Sequence, residues 1–188
     1  KDGARFHFSL PGSPQGFMIR DGQERCKSAG VANTVFDGAR ALSIRYGGLA
    51  DGLQACAMTP TFTPPEITQM RTYDLMASPT IYAGQTLSAR VVGAPESRGD
   101  VHVSLAIGVY NSADGIDVIE SQPVVVALGA DETLTWHLPD TGGQPIAEVG
   151  LIVRAADRRA DGHVILEWLT WSGTPQLDLR RPEGDGDF

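Results

Sequence analysis

The sequence predicts an all-β protein, a two-layer antiparallel β-sandwich of the jelly-roll kind. Three observations lead there. Apolar and polar residues alternate with period 2, most plainly over Val101–Tyr110, where Val101, Val103, Leu105, Ile107 and Val109 interleave with His102, Ser104, Ala106 and Gly108. Successive side chains of a strand point to opposite faces, so this pattern implies one buried face. The 22 glycines and 12 prolines are scattered between short apolar runs, the punctuation of many short strands. No long stretch repeats with a period near 3.6 residues, so helix is scarce.

The elements follow in order. Arg5–Leu10 reads as a first strand, ended by Pro11-Gly12-Ser13-Pro14, and Phe17–Arg20 as a second, closed by Asp21-Gly22. Ala39–Tyr46 alternates after the turn Asp37-Gly38, with Leu42, Ile44 and Tyr46 on one face and Ser43 and Arg45 on the other. Gln54–Phe62 runs to the break at Pro64-Pro65, and Arg71–Ala77 and Thr86–Val92 flank a turn around Pro79 and Gly84. Val118–Leu128, Thr133–Leu138, Glu148–Arg154 and His163–Trp171 complete a set large enough for two packed sheets.

A chain of 188 residues, 41% apolar and 20% charged, affords one core without metal or disulfide support. We read 1–179 as a single sandwich domain and 180–188 as an acidic, glycine-rich tail around Glu183-Gly184-Asp185-Gly186-Asp187. The net charge of −8 argues against nucleic acid or an anionic membrane as the main partner, because both select a basic surface. No apolar run reaches the roughly 18 residues that a membrane helix needs. The opening Lys1-Asp2-Gly3-Ala4-Arg5 leads straight into a strand pattern, as in a processed chain or a piece of a longer one. The reading leans to a secreted or cell-envelope location over a cytoplasmic one. Cys26 and Cys56 are too few for a disulfide scaffold and lack zinc-site spacing; one bridge or two buried thiols remain open.

Catalytic signatures are sparse. No Gly-x-Ser-x-Gly elbow occurs. Paired-carboxylate hydrolysis needs two acids facing each other across a cleft; strand interiors offer Asp74, Glu148 and Glu167, while Asp21, Asp37, Asp51, Asp114, Asp117 and Asp140 sit in turns. His7, His102, His137 and His163 have no metal-ligand spacing. Sugar binding needs an aromatic platform with polar groups around it. Trp136 is in phase with Leu134 and Leu138, and Trp168 with Val164 and Leu166, which assigns both to the core. Trp171 lies at a strand end and reaches for the surface, while Tyr82 and Tyr110 flank turns and could line a rim. The polar strand faces carry Ser43, Arg45, Ser88, Arg90, His102, Ser104 and Arg154. Arg45, Arg90, His102 and Arg154, with Tyr110 and Trp171, are therefore the candidate ligand residues, their guanidinium groups suited to phosphate or sugar hydroxyls. The plainer alternative is a solvated face, or one covered by another domain.

Several short motifs carry a resemblance. Phe8 to Phe17 with Gln15-Gly16-Phe17, Asp37-Gly38-Ala39-Arg40-Ala41-Leu42-Ser43-Ile44, Tyr82-Ala83-Gly84-Gln85-Thr86-Leu87-Ser88-Ala89 and Gly162-His163-Val164-Ile165-Leu166-Glu167 resemble the strands and turns of galactose-binding-like carbohydrate-binding modules. The chain departs from that family in having Phe17 where Trp is usual. The resemblance implies a jelly roll of the galactose-binding-domain type and one structural calcium near the first and last strands. Glu167 stands at the family's last-strand acid, Asp37 in the matching turn, and Ser9 near the family's first-strand Glu, a departure that weakens the site. A narrower likeness is to the accessory region of bacterial ADP-ribosylglycohydrolase-like proteins. It rests on Gly143-Gln144-Pro145-Ile146 through Val149-Gly150-Leu151, Leu169-Thr170-Trp171-Ser172-Gly173-Thr174-Pro175 and Leu179-Arg180-Arg181-Pro182.

These resemblances imply a non-catalytic carbohydrate-binding-like accessory module of a larger glycohydrolase, with a carbohydrate or nucleotide-sugar ligand and a neighbouring catalytic domain. A structural domain that packs on a catalytic partner and binds nothing small is the alternative. A free-standing jelly-roll hydrolase or lyase comes third.

Overall fold

The computed structural model describes residues 17–19, 29–50, 52–61, 81–111, 113 and 115–176. They form β1 (Met18–Ile19), β2 (Gly30–Phe36), β3 (Ala39–Ala50), β4 (Ala55–Pro60), β5 (Thr86–Gly93), β6 (Val101–Tyr110), β7 (Ile116–Glu120), β8 (Val124–Val126), β9 (Asp131–His137), β10 (Ile146–Ala155) and β11 (Arg159–Ser172). One sheet runs β1-β4-β10-β6-β7, with β8 also paired to β6; the other runs β2-β3-β11-β5-β9. Every strand pairing is antiparallel. The two-layer all-β sandwich expected from the alternation is the observed fold.

The core lies between the sheets. Val101, Val103, Leu105, Ile107 and Val109 of β6 meet Leu42, Ile44 and Tyr46 of β3, Leu87, Ala89 and Val91 of β5, and Val164 and Leu166 of β11 in one buried cluster. The phase read from β6 is therefore the phase observed. The β2–β3 hairpin shows why the sequence turns where it does. Asp37 and Gly38 both have positive φ, 47° and 74°, the two-residue turn whose twist matches the flanking strands and which Asp-Gly tolerates.

Three features differ from the sequence reading. β2 was not expected, because Gly30-Val31-Ala32-Asn33-Thr34-Val35-Phe36 is small, polar and only half-buried. It is an edge strand, recruited by pairing to β3 rather than by its own pattern. The single strand expected at Val118–Leu128 is two strands. Both pair with β6, and Ser121 bridges the break: its N–H donates to the Leu105 carbonyl at 2.9 Å and its Oγ accepts from the Leu105 N–H at 3.0 Å. The registers also shift at Ala147 in β10 and at Glu167 in β11. The strands expected at Arg5–Leu10 and Arg71–Ala77, residues Ser9 and Cys26, and the 180–188 tail lie outside the described residues. Cys56 is buried on β4.

Candidate functional site

The row of arginines expected on one face is divided between two. Arg45 on β3 and Arg90 on β5 belong to the outer face of the five-stranded sheet, whereas His102 and Arg154 are register partners on β6 and β10 of the other sheet. Alternation separates inside from outside. It does not say which of a sandwich's two outer faces a residue joins, and these point away from each other. The four residues therefore form no common anion site.

On the six-stranded sheet, Arg154 is already occupied. Its Nη1 and Nη2 donate to Glu120 at 2.6 and 2.9 Å, and Nη2 donates to Gln54 Oε1 at 2.6 Å. The Arg154 hydrogen bonds hold the Glu120 carboxyl below its usual range, against the opposing effect of burial. The middle of this face is closed: Cys56, Met58, Ala106 and Ile152 form a buried cluster. Tyr110, expected at a rim, is 4% exposed and packs with Ala147 and Ile116. Burial pushes its hydroxyl pKa up, and the nearby Glu148 charge adds to the rise. Tyr110 is a packing residue here.

The five-stranded sheet is built differently, and the cause is one extra residue. Leu166 pairs with Val91 and Trp168 with Arg90, so Glu167 is a β-bulge and shares with Trp168 the face opposite Arg90. Leu166 before the bulge and Leu169 and Trp171 after it all point into the core. Trp168, assigned to the core from its phase with Val164 and Leu166, is turned outward and half-buried. Trp171, expected to reach the surface, is turned inward and is 6% exposed in the main cluster. Trp136 packs partly buried against the core, as its phase with Leu134 and Leu138 implies. The signal was present in the sequence: Val164 and Leu166 share one parity, Leu169 and Trp171 the other, with Glu167-Trp168 at the slip.

Three rows of outward side chains cross β11, β5 and β9: Trp168–Arg90–Thr133, Thr170–Ser88–Thr135 and Ser172–Thr86–His137. Neighbouring strands stand about 4.8 Å apart, so each row is a short polar track. Arg90 is fixed at the top of it, with Nε 3.0 Å from Glu167 Oε2 and Nη2 2.9 Å from Asp131 Oδ2. Thr133, Thr135 and His137 are exposed, and Ser88 and Thr170 half-buried. An indole ring beside a guanidinium and a field of hydroxyls offers an apolar platform to the flat side of a sugar ring and hydrogen bonds to its rim. Arg45 stands further along the same sheet, exposed, beyond the apolar cluster of Ala41, Val92 and Ile165.

Of the three residues expected at calcium, Ser9 lies outside the described residues, and the other two stand apart. Glu167 faces Arg90, while Asp37 lies at the hairpin tip, on the order of 13 Å further along β3 at ordinary strand rise. Among the described residues no group of three or more His, Cys, Asp or Glu gathers as a metal cluster.

No family model matches the chain, and no curated protein matches it. Solved structures do match in fold. A xylan-binding domain of carbohydrate-binding module family 22 is 13% identical, with TM-score 0.55, covering 92% of this chain and 97% of its own. A xylan-binding module of family 15 is 12% identical, with TM-score 0.54 and the same coverage of 92% and 97%. A Clostridium thermocellum endo-1,4-β-xylanase, solved as a family 22 binding module with its family 10 glycoside hydrolase module and xylohexaose, is 10% identical, with TM-score 0.55. The match covers 91% of this chain and only 28% of that multi-module one. These three lend the ADP-ribosylglycohydrolase likeness no support. At such identities the likeness is one of fold: the chain has the β-sandwich architecture found in carbohydrate-binding modules.

Proposed function

We propose that this chain is a non-catalytic carbohydrate-binding module of a larger polysaccharide-degrading enzyme, and that it holds a neutral polysaccharide of the xylan or non-crystalline cellulose type on the outer face of the five-stranded sheet. The observation that carries the reading is the outward turn of the half-buried Trp168 beside Arg90, at the head of two rows of Ser and Thr hydroxyls. Its fold matches include xylan-binding modules of families 22 and 15 and a family 28 module specific for non-crystalline cellulose, 9% identical with TM-score 0.54, which suggests the polymer class. A neutral ligand is favoured over a nucleotide sugar because Arg90 already faces two carboxylates and Arg154 a third. The acids on the proposed face are engaged by Arg90, which suits binding rather than hydrolysis. One aromatic platform with shallow polar contacts supports a dissociation constant on the order of 0.1–1 mM, about 4–5.5 kcal/mol. Native affinity electrophoresis in gels containing soluble xylan or hydroxyethylcellulose tests this. We expect retardation of the native chain and its loss in Trp168→Ala; no retardation in either gel, or equal retardation of the variant, overturns the reading.

One observation favours a second role for a different surface. Val118 on β7, Val125 on β8 and Leu128 after it are exposed large apolar residues along one edge of the six-stranded sheet. A neighbouring catalytic domain packed there would cover them. Val125→Lys weakening the association of the chain with that domain, with polysaccharide retardation unchanged, is the outcome this reading predicts.

A further inference from the structure

A pocket of about 100 Å³ opens at one end of the sandwich, lined among others by Tyr82, Asp140, Thr141, Gln144 and Gln176. It lies where β5 begins, where the β9–β10 loop passes, and where the chain leaves β11. Its walls are braced by main-chain and glutamine hydrogen bonds. Gly84 N–H donates to the Leu138 carbonyl at 3.1 Å and Leu138 N–H to the Gln85 carbonyl at 2.8 Å. Tyr82 N–H donates to Gln85 Oε1 at 2.9 Å, Gln85 Nε2 to the Gly173 carbonyl at 3.0 Å, and Gln176 N–H to the Ala83 carbonyl at 2.9 Å. The loop opposite is tied within itself: Gly142 N–H donates to Asp140 Oδ1 at 2.8 Å and Thr141 Oγ1 to the Gln144 carbonyl at 2.7 Å.

The bonds that shape the pocket leave its functional side-chain ends unspent. Among the described residues, the Tyr82 hydroxyl, the second Asp140 carboxylate oxygen and the amides of Gln144 and Gln176 have no protein partner. Gly84 has φ of 81°, and a Cβ there would meet the Gln176 side chain at 2.6 Å, so the glycine lets that amide lie across the pocket wall. The set is one phenol ring, one carboxylate and two carboxamides. It can both donate to and accept from vicinal hydroxyls, and the carboxylate makes its bonds charge-assisted. Drug-sized ligands fill roughly 300–1,000 Å³; this pocket suits one small ring. Among the described residues Asp140 is its one charged lining group, which disfavours phosphates and uronic acids.

We infer that this pocket is a second sugar subsite, separate from the sheet face, taking a single neutral monosaccharide unit such as the terminal residue of a chain. Its ligand class rests on the carbohydrate-binding reading; its location does not. The test is amide chemical-shift mapping of the full chain with xylose, glucose and galactose as neutral probes, glucuronate as charged control and xylohexaose as chain probe. A neutral monosaccharide is expected to shift the amides of Thr141, Gly142, Gly143 and Gln144, with glucuronate weaker. Asp140→Asn, which keeps an acceptor for Gly142, and Tyr82→Ala should each weaken that response about tenfold, near 1.4 kcal/mol; Trp168→Ala should leave it intact. Absence of shifts at these amides with all three neutral sugars, shifts that survive both substitutions, or an equal response to glucuronate overturns the subsite. Xylohexaose shifts at Trp168 persisting in those cases would leave the sheet-face reading standing. Loss of the Trp168 shifts alone would remove that reading and leave the subsite.

Discussion

Arg90 on β5 faces two residues of β11 at once: the bulge sets both Glu167 and Trp168 opposite it, with Glu167 Oε2 3.0 Å from Arg90 Nε. Both atoms are buried and neither has a hydrogen-bond partner, so the contact between them is an ion pair without hydrogen-bond geometry. The guanidinium is thereby held beside the indole, and Asp131 on β9 fixes its other end. A single inserted residue thus creates the outward-facing aromatic and the ion pair that orients its neighbour.

Trp168 and Trp171 should separate binding from stability. Trp171→Ala empties a core position, and such truncations cost about 3–5 kcal/mol. Trp168→Ala removes a half-buried outer ring and should cost less than about 2 kcal/mol. Urea unfolding of the two variants gives the comparison. The reverse order would place the register shift elsewhere than at Glu167.

Breaking the Arg90 contact should be felt at Glu167, whose Oε2 is buried and faces no other cation among the described residues. Arg90→Met removes the cation that faces the buried Glu167 oxygen; with the Arg90 side chain 40% exposed, solvent screening limits the loss to roughly 1 kcal/mol. Adding Glu167→Gln to that variant should recover part of the loss, since the uncompensated charge is gone. Strictly additive losses in the double-mutant cycle would mean that the two side chains are not coupled.

Leu105 sits at the centre of β6 with no exposure. Leu105→Ala should cost about 2–5 kcal/mol. A change below about 0.5 kcal/mol, the range of surface substitutions, would contradict the inside-outside phase on which the fold reading rests.

The Glu120–Arg154 pair predicts an acid-side dependence. The folded pKa of Glu120 is lowered from its ordinary 4.5 by the Arg154 hydrogen bonds. The stability it contributes is therefore full above that value and is lost as pH falls through the folded one. Both side chains are about a third exposed (34% and 37%), so solvent screening limits the effect to roughly 1 kcal/mol or less. Denaturation of the native chain and Arg154→Met at neutral and acid pH should show a shallower acid loss in the variant. Parallel profiles would show that the pair contributes nothing to acid sensitivity.

Much of the fold was legible in the sequence because its signal is periodic. β5 and β6 follow the alternation residue by residue, as do β3 as far as Tyr46 and β10 from Val149 onward, and Asp37-Gly38 marks its hairpin by a dipeptide that favours two positive φ angles. β2 was hidden because an edge strand of Gly, Ala, Asn and Thr owes its place to the β3 backbone. The site was less legible for two physical reasons. Period-2 reasoning carries Trp168 inward unless the change of parity between Leu166 and Leu169 is noticed. Nor does it distinguish the two outer faces, so Arg45 and Arg90 were grouped with His102 and Arg154 from the opposite side of the sandwich. Tyr82 was marked as a rim residue by its turn, and it does line a pocket.

Titration of the chain with neutral β-1,4-linked xylo- and cello-oligosaccharides, followed by the indole N–H resonances of its tryptophans, tests the central claim most directly. Trp168 is the tryptophan on the open sheet face, while Trp136 and Trp171 pack against the core. The account predicts a saturable shift of the Trp168 indole, with Trp171 unmoved, and loss of binding in Trp168→Ala with the fold retained. No response of Trp168 to any neutral oligosaccharide, or full binding by the folded Trp168→Ala variant, would contradict it.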